Sequence, residues 1–230
     1  MADDENIYRV LGTGTTIVNF PKREELSNLG KINLQLPTEE CNEEIERKRK
    51  FIESKRGEFI SACYDLEHNL SQFISEFLFE DNIRKKEIFH ELLLDTTIVT
   101  FGQKKNIARH LMKKFSDETT GGSISEANQV QLFKKVEEII KVRNALAHGE
   151  VIIDYNNDKA VVKYYDSNKN TKVKIELNET VFSEIDTKVV GLSIVFELLK
   201  NRYYEKEFFE NFIENGLIGK PNLISQIARE

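Results

Sequence analysis

Residues 123–149 read SISEANQVQLFKKVEEIIKVRNALAHG, and their pattern decides which kind of fold the chain can adopt. Leu132, Val136, Ile139 and Leu146 recur at three- and four-residue steps, with Phe133, Ile140 and Ala147 on the adjoining row. That period belongs to an α-helix laying one apolar side on a core. Ser123 followed by Glu126 forms a capping box, and the breaker pair Gly121-Gly122 precedes it, so the helix is expected to begin there. Gly149 is the kind of residue that commonly stands just past a helix end.

Upstream of this helix the chain is also helical. Thr38 is an expected N-cap, and Glu39, Glu40, Glu43 and Glu44 suit the positive end of a helix running for about 40 residues. Phe59, Cys63, Leu66, Leu70, Phe73 and Phe77 mark its apolar face; farther back only Ile45, Phe51 and Ile52 continue it, so the first half is expected to project or pack lightly. A second helix is expected near 82–95 with Ile88, Phe89, Leu92 and Leu93 buried, and a third over about 101–115. Residues 1–37 stand apart as an N-terminal arm with one short strand in LGTGTTIVNF. Gly12 and Gly14 make no dinucleotide loop, because Ile17 occupies the place of the third glycine and no Walker lysine follows.

Downstream, the period changes to that of strands. Residues 151–155, 160–165 and 171–177 are separated by Asn156-Asn157-Asp158 and Ser167-Asn168-Lys169-Asn170, both rich in turn formers. In the last of them Val173, Ile175 and Leu177 alternate with Lys172, Lys174 and Glu176, as in a half-exposed antiparallel strand. Phe182, Ile185, Val189, Leu192, Phe196, Leu199 and Tyr203 then continue in helical steps, and a short helical piece over 208–213 precedes a tail at 216–230. The expected fold is mainly α: a helical bundle over residues 38–215, with a small antiparallel β meander at about 150–178 inserted before the last long helix.

Composition bounds the function. The 230 residues carry 33 Lys and Arg against 39 Asp and Glu, a formal charge of −6, with 40% hydrophobic residues. This is a globular composition without a run long enough to span a bilayer, and no membrane partner is expected. The start MADDENIY is acidic where a secretion signal is basic. Cys41 and Cys63, on one helix, stand about 33 Å apart and cannot pair. Unpaired thiols suit a reducing cytoplasm. An acidic average also opposes a surface that grips nucleic acid everywhere.

The chemistry-bearing residues close the helix quoted above. Arg143 falls where an apolar residue is due, between Ile139 and Leu146, and a buried arginine is costly unless paired or placed at an interface or cleft. Asn144 and His148 are four apart and share one side. Arg143 and His148 differ by five steps, about 140° around the helix, so they converge only across the helix end or if the last turn loosens. Arg and His near a helix C-terminus also complement its dipole, a purely structural use.

RNALAHG, residues 143–149, resembles the signature of the HEPN superfamily, an arginine and a histidine separated by four to six residues with a polar residue after the arginine. Here the separation is four and Asn144 fills the polar slot. The strands after LAHG and the Lys-rich segment FGQKKNIARHL are similar to what surrounds the motif in some families of this group. The resemblance spans about residues 40–215, and its specific part is those seven residues.

The resemblance implies a helical bundle that forms a homodimer with two motifs in one cleft, and a metal-independent endoribonuclease of a toxin–antitoxin or antiviral system, neutralised by a partner protein. It assigns His148 as acid/base, Arg143 as transition-state stabiliser and Asn144 as an orienting or phosphate-contacting group. Attack of a ribose 2′-OH on the adjacent phosphate needs such groups. No cofactor or metal is expected. Glu150 stands where toxin members often carry a tyrosine two residues after the histidine. Other members are inactive dimerisation or interaction modules, and that alternative stands beside catalysis.

An RNA partner asks for a cationic surface. Residues 103–115 contain Lys104, Lys105, Arg109, Lys113 and Lys114 and no acid, with Lys134, Lys135 and Lys141 on the motif helix. The same run also fits an ordinary solvated helix face. His90-Glu91 begins like a zinc-protease motif, but Leu94 replaces the second ligand; His68 and His110 read as structural.

Overall fold

A computed structural model describes residues 16–18, 39–79, 82–94, 98–154, 159–166, 171–203, 205–211 and 213. The chain is mainly α-helical with a small sheet. In order it forms β1 (Thr16–Val18), α1 (Glu39–Phe79), α2 (Ile83–Phe89), α3 (Phe101–Lys114), α4 (Ser116–Thr120), α5 (Glu126–His148), β2 (Glu150–Asp154), β3 (Lys159–Asp166), β4 (Thr171–Glu176), α6 (Glu179–Lys200) and α7 (Lys206–Asn211). Two compact units divide the described residues: those within Met1–Glu58 and Asn144–Phe182 form the first, those within Phe59–Arg143 and Ser183–Asn222 the second. Among the described residues no helix is long and apolar enough to cross a membrane. The tail at 216–230 and the arm outside β1 lie outside the described residues.

The first unit is built on a sheet of order β1-β2-β3-β4. β2, β3 and β4 form the antiparallel meander, with Val151 opposite Val162 and Val162 opposite Ile175. These three are buried and form one apolar row across the strands. β1, the strand expected in the arm, pairs parallel to β2 with Ile17 opposite Ile152. β2 therefore lies inside the sheet, and Val151, Ile152 and Ile153 are all buried. The early part of α1 is anchored more firmly than its sparse apolar residues predict. Ile52 is 2% exposed, and the Phe51 ring meets Phe182 edge-on at 6.1 Å between centroids.

The second unit packs helices by the predicted stripes. Phe59, Cys63, Leu66, Leu70 and Phe73 of α1, Leu132, Val136 and Ile139 of α5, and Ile185, Val189, Leu192, Phe196 and Leu199 of α6 are all buried. Phe196 stands 5.9 Å from Phe73 and 6.2 Å from Phe133, ring centre to ring centre. Each such side chain contributes roughly 1.5–3 kcal/mol through burial. Asn69 Nδ2 donates to Ser193 Oγ at 2.8 Å, which pins α1 against α6.

Three local expectations are corrected. The second helix ends as an α-helix at Phe89 and continues as a π-helical turn, His90–Leu94. A π turn holds more residues than an α turn, so the three-four stripe loses its phase. His90 and Leu94 turn inward, while Ile88, Leu92 and Leu93 are exposed. At α5 the capping residue is Ser125, not Ser123: Ser125 Oγ accepts the Asn128 N–H at 3.2 Å, whereas the Ser123 hydroxyl donates back to the Thr120 carbonyl. At the end of α6 the stripe stops at Leu199. Tyr203 N donates to Leu198 O at 3.0 Å and Arg202 N to Leu199 O at 3.1 Å, with Arg202 left-handed at φ 55. This double closure is a Schellman ending, and it turns Tyr203 outward to 40% exposure.

Candidate functional site

α5 is continuous from Glu126 to His148, and the Gly149 N–H still donates to Ala145 O at 2.7 Å. The last turn therefore does not loosen, and helical geometry leaves Arg143 about 140° from His148. Asn144 is half-buried and His148 exposed, on the same side of the helix. Of the three predicted residues, α5 groups Asn144 with His148 and turns Arg143 to a different side.

Arg143, within the second unit, is half-buried. Its surroundings are reported by Cys63, a buried free thiol of α1. Burial pushes that thiol from an ordinary 9.0 up to about 12; the Arg143 guanidinium pulls it down, and Asp186 and Glu67 push it up. Arg143 thus lies close enough to α1 for its charge to be felt at that buried thiol. Asp186 was not singled out by sequence reasoning; the available signal was a carboxylate adjoining Ile185 in the stripe of α6.

Gly149, in the first unit, is needed for space. A Cβ there would overlap the Ala145 carbonyl oxygen and the Val162 methyl, and would stand 2.9 Å from Lys163 O. Left-handed backbone, the usual reason for glycine after a helix, is not the cause: the positive-φ glycines among the described residues are Gly121 and Gly122. Because β3 lies against Gly149, the sheet fixes where the end of α5, and hence the His148 backbone, must be. Glu150 follows as the first residue of β2.

The cationic segment divides sharply. Lys104 is 5% exposed and pairs with Glu67 at 2.7 Å, and Lys105 pairs with Glu137 at 3.2 Å. Lys135 is likewise buried and pairs with Glu138 at 3.2 Å. Arg109, Lys113 and Lys134 are exposed. Lys188 of α6, absent from the sequence-based candidates, feels the charges of α5. Burial and then the nearby Lys135 ammonium pull Lys188 below its ordinary value, while Glu138 and Glu184 oppose them.

Elsewhere, the rings of His68 and His90 are 5.6 Å apart and tilted, and His90 is buried. A cavity of about 290 Å³ in the second unit has Phe73, Phe77 and Leu199 among its walls with Glu76, Lys200 and Arg202, and none of the three motif residues lines it. Among the described residues no group of three or more His, Cys, Asp or Glu side chains is placed to hold a metal ion. No protein-family model matches the chain, and no curated protein or solved structure matches it significantly.

Proposed function

We propose that this chain is a HEPN-type endoribonuclease that cuts RNA at a composite site formed by two copies. The observation that carries the reading is RNALAHG at the very end of a long helix, followed at once by an antiparallel meander. His148, exposed, takes the proton from a ribose 2′-OH as the 2′-oxygen bonds to the adjacent phosphorus. His148 of the second copy gives a proton to the departing 5′-oxygen as the phosphorus–oxygen bond breaks, leaving a 2′,3′-cyclic phosphate and a 5′-hydroxyl. Arg143 neutralises the phosphorane oxygens, and Asn144, beside His148, orients the phosphate. The 140° divergence on one helix favours a site completed by a second chain. The proposed setting is a cytoplasmic toxin or antiviral system with a neutralising partner protein.

Purified His148→Ala and Arg143→Ala should each lose at least about a hundredfold of RNA cleavage while keeping their helical circular dichroism and two-chain mass by light scattering. EDTA should leave wild-type cleavage intact, because the proposed groups act without a metal. Wild-type cleavage rates in both variants would overturn the proposal.

One observation favours a second reading. Arg143 is half-buried and its charge reaches the buried thiol Cys63, so it can serve structure. In that reading the motif holds a dimer seam or a partner protein and cuts nothing. Arg143→Ala would then lower Tm and the mass in solution, and wild-type protein would leave RNA whole.

A further inference from the structure

The cations of α3 and α5 are not equivalent, and their sorting defines a surface. Lys104 and Lys135 are buried in ion pairs. Lys105 and Lys141 both reach Glu137, at 3.2 and 3.7 Å, so one carboxylate serves two ammonium groups and the trio keeps a net positive charge. The two helices run antiparallel. Lys105 is level with Glu137, and eleven residues later Ser116 Oγ accepts from Gln129 Nε2 at 2.9 Å. Between those tie points Arg109 comes level with Lys134. Each step of four turns a helix by about 40°, so Arg109 and Lys113 stay on the flank of α3 that Lys105 turns toward α5. Lys114 falls on the other flank, where its ammonium stands over the Phe115 ring. On α5, Lys134, Glu137 and Lys141 follow at three- and four-residue steps, so they form the facing row.

We infer that this α3–α5 seam, with Arg109, Lys113, Lys134 and Lys141, is a binding surface for the phosphate backbone of single-stranded RNA. The inference rests on the RNA reading above and deepens it. Arg109, Lys113 and Lys134 are exposed and Lys141 half-buried. α3 contributes no carboxylate to the seam, although Asp117 and Glu118 follow on α4. Lys134 and Lys141 are about 10 Å apart along α5, and Lys141 stands two residues before Arg143. A line of cations at this spacing leads a strand of regularly repeating charge toward the motif. Apart from Val130 at its far end the row is not apolar, so it lacks the desolvated centre that a stable protein interface needs.

The test uses full-length His148→Ala protein, which separates binding from cutting, and a fluorescent single-stranded RNA oligonucleotide titrated at several salt concentrations. The parent should bind, and adding Arg109→Glu, Lys113→Glu and Lys134→Glu should weaken binding at least tenfold. The salt slope should fall by about 0.7 for each phosphate contact removed. Arg109→Gln with Lys134→Gln, milder if the triple variant loses its circular dichroism, should shift both quantities the same way. Lys174→Glu, at an exposed residue of β4, should bind like the parent. The seam is overturned if the parent binds no RNA, if the seam variants keep its affinity and slope, if Lys174→Glu weakens binding as much, or if polyglutamate competes as well as RNA. Seam-dependent binding by a wild-type chain that never cuts RNA overturns only the catalytic reading. Unchanged cleavage when the seam substitutions are made in the wild-type chain overturns only the seam.

Discussion

Leu132, Val136 and Ile139 of α5 are at most 1% exposed, whereas Asn144 and His148, farther along the same helix, are half-buried and exposed. The first stretch is held by apolar contact and sets stability. The second presents an amide and an imidazole just before a glycine whose missing side chain lets β3 approach. The difference teaches that one helix can anchor along its length and still display side chains near its end, where Ala145 and Leu146 stay buried while Asn144 and His148 are less covered.

Substitutions along α5 can break or sharpen that contrast. Leu132→Ala should cost the most, about 3–4 kcal/mol by urea denaturation, because it leaves a cavity among fully buried neighbours. Gly149→Ala should cost about 2 kcal/mol and reduce RNA cleavage as well, since residue 149 must shift to clear the Ala145 and Lys163 carbonyls and so distort the last turn of α5. A Gly149→Ala protein with wild-type stability would break the claim that the sheet fixes the display end. Ser125→Ala should lower stability by about 1 kcal/mol through loss of the cap on Asn128, with cleavage unchanged. Smallest of all, His148→Ala should stay within about 0.5 kcal/mol of wild type in the same denaturation. A larger loss would mean that the imidazole is part of the scaffold.

Much of the fold was legible in the residues because the relevant forces are local and periodic. The stripes of α1, α5 and α6 and the alternation in β4 each state which side meets a core. Where legibility failed, a local choice had close competitors. Ser123 and Ser125 are both capping residues, and only the backbone turn after Gly122 selects the second. Ile88, Leu92 and Leu93 look like a buried α-helical face, but a single π turn rephases the segment and sends His90 inward. The motif was visible as an arginine out of place in an apolar row. Its effect on Cys63 was not, since that residue is distant in sequence.

From the sequence alone came the mainly α class, the meander before the last long helix and the choice of Arg143, Asn144 and His148 as the residues worth testing. Helix and strand periods suffice for the fold, because they act within a few residues; the three residues needed in addition the resemblance of RNALAHG to the HEPN signature. Only the tertiary structure decided that Lys104 is spent on Glu67 and Lys105 on Glu137 while Arg109 and Lys113 face solvent, and why position 149 admits no side chain. Each of these depends on what another segment brings alongside. An ion pair or a steric limit between residues far apart in the chain leaves no mark in the pattern of either one.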